Sequence, residues 1–283
     1  MTDATDFIDR GPARAVRPAG TVWFLASALA ALMTVAPLLW MLSIAFKGPD
    51  EIFDPGLIPT RPTLDNFLYV FTEVDFLRFL LNTLVVAGSV TVIALLFHSM
   101  AGYALARLRF PGREAIFLGM FATFLISLPV IIVPLFILVR QLGLVNSYGG
   151  LIIPAIFNAF GIFLLRQFYL NVPRELEEAA FIDGAGYWRV YWSIVLPLSR
   201  PILAALAIFF FLANWNAFLW PLTITTDERL WVVQVAVASF QAQYSASWNY
   251  IMAASTVVAL PTLLLFVLFQ RQIIESIKTG GLK

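Results

Sequence analysis

Cysteine is absent from the 283-residue chain, and histidine occurs once, as His98. The first absence excludes disulfides, thiolate nucleophiles and cysteine-ligated metals, and a single histidine excludes any site that needs two imidazoles. Charged residues are also scarce, at 12% of the sequence against roughly 25% in soluble domains. Apolar residues make up 60% of the sequence, which leaves too few polar residues to cover the surface of a water-soluble globule of this size. The composition therefore excludes a soluble enzyme and indicates a membrane protein.

Charges are also missing locally, from six long stretches of the chain. A membrane-spanning helix needs about 20 apolar residues, and each stretch is long enough to supply one. We therefore predict an all-α membrane protein with six transmembrane helices, the fourth starting near Gly150 and the sixth near Trp248–Gln270. The charge-free stretches are 21–46, 79–106, 115–139, 141–165, 201–226 and 230–270.

The distribution of Lys and Arg predicts the orientation, because cytoplasmic loops are enriched in these residues. With the N-terminus inside, most of the 18 basic residues are cytoplasmic, and both termini lie in the cytoplasm. The prediction divides the chain into an N-terminal cytoplasmic tail (1–20), a transmembrane domain (21–270) and a C-terminal cytoplasmic tail (271–283). The first apolar stretch is too long for a cleaved signal peptide. The basic residues left outside are Lys47, Arg61, Arg78, Arg140 and Arg229.

Two of the predicted outside segments are long. Segment 47–78 is rich in proline and ends in Thr63-Leu64-Asp65-Asn66, which indicates an extended stretch followed by a short surface helix. Segment 227–247 begins with three charged residues and continues with glutamines and aromatics. It is either a solvated hairpin or a contact for an external partner, and the sequence leaves both open.

The inside loop between the fourth and fifth stretches, 166–200, should begin with a short helix. Pro173 suits a first helical turn, and the acids that follow suit the positive end of a helix dipole. Gly184 and Gly186 are expected to end this helix. The acids are Glu175, Glu177 and Glu178.

A second short helix is expected from Tyr187 to about Val195, ended by Pro197. Two brief helices around a glycine bend make a compact knob that carries aromatic side chains, among them Phe181 and Trp188. Such a knob can lie on the inner leaflet, pack beneath the helical bundle, or protrude as a docking element for a cytosolic subunit.

The spacing in this loop matches a known motif. Glu178-Ala179-Ala180 is followed after three residues by Gly184, and after nine more by Ile194-Val195-Leu196-Pro197. This pattern resembles the EAA loop of bacterial ABC-importer permeases. From about residue 20 to the end, the chain is similar to the carbohydrate permeases of the maltose-transporter type, the MalG-like branch. The wider resemblance is carried by residues 47–53, 82–84, 101–113, 160–168, 215–222 and 270–271.

The resemblance implies the type I importer permease fold and a multi-pass location in the bacterial inner membrane. The chain would form half of a pore for a sugar or oligosaccharide, with a second permease subunit, a dimeric cytoplasmic ATPase and an extracytoplasmic solute-binding protein as partners. It would be no enzyme and hold no cofactor, because ATP and Mg²⁺ would bind the ATPase. Membrane lipid is expected around it, and the net charge of +1 offers no case for nucleic acid.

The resemblance also implies which residues dock on the ATPase. They lie in the EAA loop, here residues 171–200, with Glu178 either contacting the ATPase or capping its own helix. The C-terminal tail departs from the family's glycine-rich pattern at Glu275 and Ser276, so its contribution to the ATPase interface stays open. The predicted docking residues are Glu178, Ala179, Ala180, Asp183, Gly184, Ile194, Leu196 and Pro197.

Polar and aromatic residues within the predicted spans are candidates for the solute path, since polar groups in spans usually face the bundle interior. Each can equally be an interhelical hydrogen-bond partner. Trp220 can stack on a sugar or serve as an anchor at the outer interface, and His98 is interpreted as a packing residue. The predicted path residues are Asn82, Ser127, Asn158, Asn214, Trp215 and Asn216.

The main alternative is an ion-coupled secondary transporter. Such carriers generally place Asp, Glu, Lys or Arg inside the membrane, and none of the six stretches contains one. A membrane-embedded hydrolase needs a Ser–His, paired-Asp or metal constellation, which one histidine and no intramembrane carboxylate cannot supply. The solute class stays open among sugars, oligosaccharides, polyols and glycerol phosphates.

Overall fold

The computed structural model describes residues 18–243 and 247–280, with the side chains of 22–240 and 247–270. Within these ranges all regular secondary structure is helical, which confirms the predicted all-α class. The tail predicted at 1–20 lies almost entirely outside them. The helices are α1 (Pro18–Ala45), α2 (Asp65–Thr72), α3 (Phe76–Arg107), α4 (Arg113–Thr123), α5 (Leu128–Gln141), α6 (Tyr148–Ile156), α7 (Ala159–Asn171), α8 (Glu175–Ile182), α9 (Tyr187–Leu198), α10 (Arg200–Trp215), α11 (Leu219–Ile224), α12 (Val233–Gln243) and α13 (Trp248–Gly280).

Three helices are long and apolar enough to cross a membrane in one piece. They are the Val22–Ala45 part of α1, the whole of α3 and the Trp248–Gln270 part of α13. The last has the bounds predicted for the sixth span. Because α13 continues to Gly280, the tail predicted from residue 271 begins as helix.

The third and fourth predicted spans are broken helices, and a further bend joins α9, in the predicted inside loop, to α10, the first helix of the fifth predicted span. α4 and α5 meet at a bend of 103°, α6 and α7 at 42°, and α9 and α10 at 75°. Pro129 and Pro201 lie in the first turns of α5 and α10, where a proline can start a helix but cannot continue the preceding one. At the α6–α7 break, Phe157 and Asn158 have extended backbone. The described chain therefore has three spans, or up to six if each bent pair counts as one.

The prediction that Pro197 ends its helix is wrong. Residues Tyr191–Val195 form a π-helical turn, in which the Leu196 N–H donates to the carbonyl of Tyr191. A proline ring normally clashes with the carbonyl four residues before it, and a wider π turn relieves that crowding. The helix consequently passes Pro197 and ends at Leu198.

Helix α3 is the centre of the molecule, because it contributes to all three hydrophobic clusters of the described chain. Near its start it packs with α2, α12 and α13. Its middle packs with α5, α6, α11 and α12, and its C-terminal half with α7, α9 and α10. Any displacement of α3 would therefore change its packing contacts with most of the other helices.

The contact between α3 and α7 depends on Gly102. A Cβ added there would lie 2.9 Å from the Cβ of Leu165 and 3.1 Å from the backbone nitrogen of Arg166. Both atoms are held in place by the backbone of α7, so neither can move away by a rotamer change, as the end of a flexible side chain could. The two helices approach closely because glycine lets their backbones meet, a common device in membrane bundles.

Replacing Gly102 by alanine is therefore expected to lower the free energy of unfolding by about 1–3 kcal/mol, the usual cost of overpacking. The measurement is the melting temperature of the purified protein in detergent. Gly88→Ala is the matched control in the same helix, because its Cβ would meet nothing within 4 Å. Equal melting temperatures for the two variants would contradict the close approach.

Segment 47–78 contains the predicted short helix, α2, and is held by buried polar groups. The ammonium of Lys47 donates to the carbonyls of Asp54 and Gly56 at 2.8 and 2.7 Å. The Asn66 side chain donates to the carbonyl of Lys47 at 2.8 Å and accepts a hydrogen bond of 2.6 Å from Asn249 at the start of α13. The bond from Asn249 fixes the segment against α13, and a further bond of 2.8 Å from the Asn66 side chain to the carbonyl of Ala45 fixes it against α1.

The segment 227–247 is not the solvated hairpin that was one of its two interpretations. It contains α12, whose residues Val233, Val235 and Ala236 are buried in the core. The N–H of Val233 donates to the hydroxyl of Thr83 at 2.8 Å, which joins α12 to α3. Residues 244–246 lie outside the described chain.

Candidate functional site

The EAA loop forms a helix–turn–helix of the predicted kind. Helix α8 ends in a Schellman motif, in which the N–H of Gly184 donates to Phe181 at 3.0 Å and the N–H of Ala185 donates to Ala180 at 2.9 Å. Gly184 adopts a φ of 80°, in the left-handed region that favours glycine. The turn therefore depends on the residue type at this position.

The outward face of this loop carries a cluster of apolar side chains. Ile182 is 86% exposed and Trp188 is 61% exposed. The rings of Phe181 and Tyr187 meet edge-on with centroids 5.0 Å apart across the glycine turn. Exposed apolar patches of this kind mark interaction surfaces.

The EAA motif residues divide between this outward face and the core. Glu178, Ala179, Asp183 and Gly184 are exposed. The others are partly buried, and Ala180 and Leu196 pack against the cluster that joins α3, α7, α9 and α10. The partly buried members are Ala180, Ile194, Leu196 and Pro197.

Glu178 does not cap its own helix, which was one of its two predicted roles. The N-cap of α8 is Arg174, and no side chain caps this helix end. Within the described chain, the Glu178 carboxylate has neither a hydrogen bond nor an ion pair. Its charge is therefore free for a partner.

The neighbouring acid, Glu177, is the one that fixes the loop to the bundle, and the sequence analysis missed it. A carboxylate oxygen of Glu177 lies 2.9 Å from Nε of Arg107, the last residue of α3, and both side chains are almost fully buried. The Nε–H is not aimed at this oxygen, so the contact is an ion pair rather than a hydrogen bond. The hydroxyl of Tyr103 donates to the other oxygen at 3.3 Å, and Arg107 donates to the carbonyl of Val172.

Only one signal in the sequence pointed to this anchor, namely the position of Arg107 at the end of a charge-free stretch. Glu175, Glu177 and Glu178 are alike in sequence, and which of them faces inward depends on how α8 lies against α3.

A second ion pair ties α4 to the same region. The guanidinium of Arg166 in α7 donates to both carboxylate oxygens of Glu114 at 2.8 and 3.1 Å. Its Nε donates to the carbonyl of Leu105 at 3.3 Å, and the group lies 4.0 Å from the ring centre of Phe117. The ends of α3, α4 and α7 beside the EAA loop are therefore joined into one unit.

The structure does not gather the six predicted path residues at one site. Asn82 is only 3% exposed and donates to the carbonyls of Arg229 and Trp231 at 2.9 Å each. It also accepts a hydrogen bond of 2.6 Å from Tyr148. Asn82 thus joins α3 to α6 and to the segment before α12 through hydrogen bonds.

Two tryptophans are buried hydrogen-bond donors, and their rings are not accessible for stacking on a solute. The indole of Trp215 donates to the carbonyl of Val258 at 3.1 Å, and that of Trp220 donates to the carbonyl of Gly150 at 3.0 Å. Both rings are buried in the core. Stacking of Trp215 or Trp220 on a sugar and the anchoring of Trp220 at an interface are therefore not supported.

Asn158 lies at the break between α6 and α7 and caps α7. Its side chain accepts a hydrogen bond of 3.2 Å from the N–H of Gly161, and its own N–H donates to Nε2 of His98 at 3.2 Å. The buried His98 ring also packs edge-on against Phe210. His98 is thus a hydrogen-bonded packing residue, as predicted, and it satisfies a backbone group freed by the helix break.

The remaining three path residues lie at helix ends and are at least partly accessible. Ser127 is exposed at the α4–α5 break, where it makes no capping hydrogen bond. Asn214 is partly buried and Asn216 is exposed, both at the end of α10. Asn216 accepts a hydrogen bond of 3.2 Å from Gln234 of α12. This pair places polar groups on an accessible surface within an otherwise apolar bundle.

Comparison with solved structures supports the fold. A bacterial ABC transporter involved in the import of the acidic polysaccharide alginate contains a chain that superposes with a TM-score of 0.81. The match covers 94% of this chain and 99% of that one, at 22% identity. This chain therefore shares its helical fold with that transporter chain.

Sequence relatives are named permeases of carbohydrate and related uptake systems. The arabinooligosaccharides transport system permease protein AraQ of Halalkalibacterium halodurans is 36% identical, with 92% of this chain and 96% of the relative covered. The diacetylchitobiose uptake system permease protein NgcG of Streptomyces coelicolor is 35% identical, with 88% and 84% covered. The sn-glycerol-3-phosphate transport system permease protein UgpE of Yersinia pestis is 38% identical, with 87% and 91% covered.

A family profile described as "Binding-protein-dependent transport system inner membrane component" matches residues 98–279. The match spans more than half of the chain and includes the EAA loop with its anchor, Glu177. Together with relatives above 30% identity over most of their length, it confirms the resemblance found in the sequence. The chain belongs to the family of binding-protein-dependent transport system inner membrane components.

Proposed function

We propose that this chain is a permease subunit of an ATP-driven, binding-protein-dependent ABC importer for a sugar or oligosaccharide. The observation that carries the proposal is a family-typical EAA loop that exposes an apolar face and is anchored through Glu177 to the central helix α3. Two of the three relatives named above, the permeases for arabinooligosaccharides and diacetylchitobiose, support this solute class, whereas the third is named for sn-glycerol-3-phosphate.

In the proposed topology the helix pairs α4–α5, α6–α7 and α10–α11 complete six spans, while α9 stays in the cytoplasmic EAA loop. Both termini lie in the cytoplasm of a bacterial cell. The excess of basic residues on the side of the EAA loop supports this orientation. A second permease subunit forms the other half of the pore, and an extracytoplasmic binding protein delivers the solute.

The ATPase is proposed to receive the apolar face of the EAA loop. Phe181, Ile182, Tyr187 and Trp188 supply buried area on docking, and the unpaired Glu178 offers a charge-assisted contact. ATP and Mg²⁺ bind the ATPase, so hydrolysis belongs to that partner. When the ATPase dimer closes, the loop moves with it as a rigid link.

The solute path is proposed to include the accessible polar groups at the α10 and α4–α5 ends. Asn214, Asn216 and Ser127 are polar residues of the predicted spans, and lipid would leave their groups poorly satisfied. Asn216 and its partner Gln234 offer amide groups suited to sugar hydroxyls.

The test is purification in detergent through an N-terminal affinity tag, with Glu178→Lys and Gly184→Asp compared with the wild type. We expect an ATPase and a second permease to co-purify with the wild type, and the ATPase to be lost from both variants. At Gly184 the left-handed backbone favours glycine, and since aspartate tolerates this conformation better than most residues, the new charge on the apolar face is the main expected effect.

Gly186→Asp is the matched control, because Gly186 is also exposed with open space around it but has an ordinary φ of −82°. It should retain the ATPase. If the solute-binding protein co-purifies, the ligand bound to it would identify the solute. A wild-type chain that purifies alone and transports solute by itself in vesicles would contradict the proposal and favour a secondary carrier.

A further inference from the structure

A basic depression lies beside the EAA loop, where the chain leaves α3 and enters α4. It has a volume of about 640 Å³ and is lined chiefly by Arg109, Phe110, Gly112, Arg113, Glu114 and Arg174. None of these residues belongs to the EAA motif or to the proposed solute path. We propose that this depression binds the headgroup phosphate of an anionic phospholipid.

The charges around the depression are not balanced within the described chain. Glu114 is paired with Arg166 at 2.8 Å and with Arg113 at 3.2 Å, so its charge is already neutralised. Arg109 and Arg174 are exposed, and neither guanidinium group has a hydrogen bond or an ion pair among the described residues. The depression thus offers two free guanidinium groups, whose planar donor sets suit phosphate oxygens.

The backbone adds further donors. Helix α4 begins at Arg113, directly after Gly112, whose φ is 78°, and no side chain caps this end. The N–H groups of the first helical turn therefore have no acceptor in the helix. The residues that carry them, Arg113, Glu114 and Ala115, line the same depression as the other arginines, and a helix N-terminus favours a bound anion.

The position of the depression favours a lipid over a soluble anion. Arg107, two residues before Arg109, ends the span α3, so the depression lies at the level where a span leaves the membrane. From its rim α4 carries the exposed apolar side chains of Ile116 and Leu118, and Phe110 is exposed beside it. A headgroup bound by the arginines can therefore lay its acyl chains along α4, as in other basic pockets between helices.

With the orientation given in the proposed function, the bound phospholipid belongs to the inner leaflet. Whether the depression binds lipid at all does not depend on that function, because lipid binding can be measured without transport. The purified full chain, with whatever subunits co-purify, is titrated with phosphatidylglycerol or phosphatidylcholine in mixed micelles, and bound lipid is counted by native mass spectrometry.

We expect the wild type to bind phosphatidylglycerol in preference to phosphatidylcholine. A basic residue near a membrane surface contributes enough to anionic lipid binding that Arg109→Gln and Arg174→Gln should each weaken it about five-fold, and the double variant about thirty-fold. Arg109→Lys with Arg174→Lys should restore most of the binding, which separates charge from folding. The matched control, Arg61→Gln with Arg140→Gln, removes two exposed arginines elsewhere and should change nothing.

Three results would overturn the proposal. One is equal binding of phosphatidylglycerol by the wild type and by Arg109→Gln with Arg174→Gln. Another is competition by millimolar inorganic phosphate, which would indicate a site for free anions. The third is loss of the ATPase from the double variant with lipid binding unchanged, which would assign the depression to the subunit interface. Failure of the Glu178 and Gly184 experiment with lipid binding intact would contradict the proposed function alone.

Discussion

Glu177→Gln is expected to leave the ATPase bound but to reduce solute uptake by about ten-fold or more, because the EAA loop loses its buried anchor. Removing one member of a buried ion pair costs about 3–5 kcal/mol, since the other charge stays buried without compensation. Here that charge is Arg107, at the end of α3. The outward face that is proposed to meet the ATPase is untouched, so docking should persist while the link to the bundle is weakened.

The measurement is uptake in vesicles together with ATP hydrolysis by the same assembly. Uptake per ATP hydrolysed should fall, because closure of the ATPase dimer no longer displaces α3. Glu175→Gln is the matched control in the same helix, since Glu175 is exposed and should leave uptake unchanged.

A charge exchange provides a further test of the pair. Arg107→Glu combined with Glu177→Arg should recover part of the lost uptake, although not the hydrogen bond from Arg107 to Val172. Wild-type coupling in Glu177→Gln would show that the movement reaches α3 by another route. Loss of the ATPase from this variant would instead make Glu177 a docking residue.

Asn82→Ala is expected to destabilise the protein strongly. The side-chain amide satisfies two backbone carbonyls and the hydroxyl of Tyr148. Each buried group left without a partner costs about 1–3 kcal/mol. The melting temperature in detergent should therefore fall by several degrees, and the segment around Arg229 and Trp231 should become accessible to protease.

Asn216→Ala is the matched comparison, because it removes the same side chain from an exposed position. Surface substitutions usually change stability by less than about 0.5 kcal/mol, so its melting temperature should match the wild type. Its KM for uptake should rise if Asn216 contacts the solute. A stable Asn82→Ala with altered KM, or an unstable Asn216→Ala with unaltered KM, would reverse the assignment of the two residues.

The contrast between these asparagines shows where sequence reasoning about a pore is weakest. Asn82 and Asn216 are both polar residues in apolar stretches, and the sequence offers no ground for preferring either. Asn82 is buried because α6 and the segment before α12, which are far from it in the sequence, fold over it. Trp215 and Trp220 are buried for the same kind of reason, since Val258 and Gly150 supply their acceptors.

The helical class and the position of the long spans follow from local properties. A stretch without charge or strong breakers must form its backbone hydrogen bonds within itself in a membrane, so α1, α3 and Trp248–Gln270 were predictable. The broken pairs were not, because a proline such as Pro129 can start a helix, kink one or end one. Pro197 illustrates this, since a π turn lets α9 continue past it.

The sequence by itself determined that the chain is an all-α membrane protein, and its EAA spacing identified the family, because composition and short motifs are local. Only the tertiary structure decided which of the three glutamates in α8 anchors the loop, which asparagine is buried, and that Arg109 and Arg174 meet at one depression. The physical reason is that burial and pairing depend on contacts between helices distant in the chain. A sequence pattern shows which face of a helix is apolar but not which neighbour covers it.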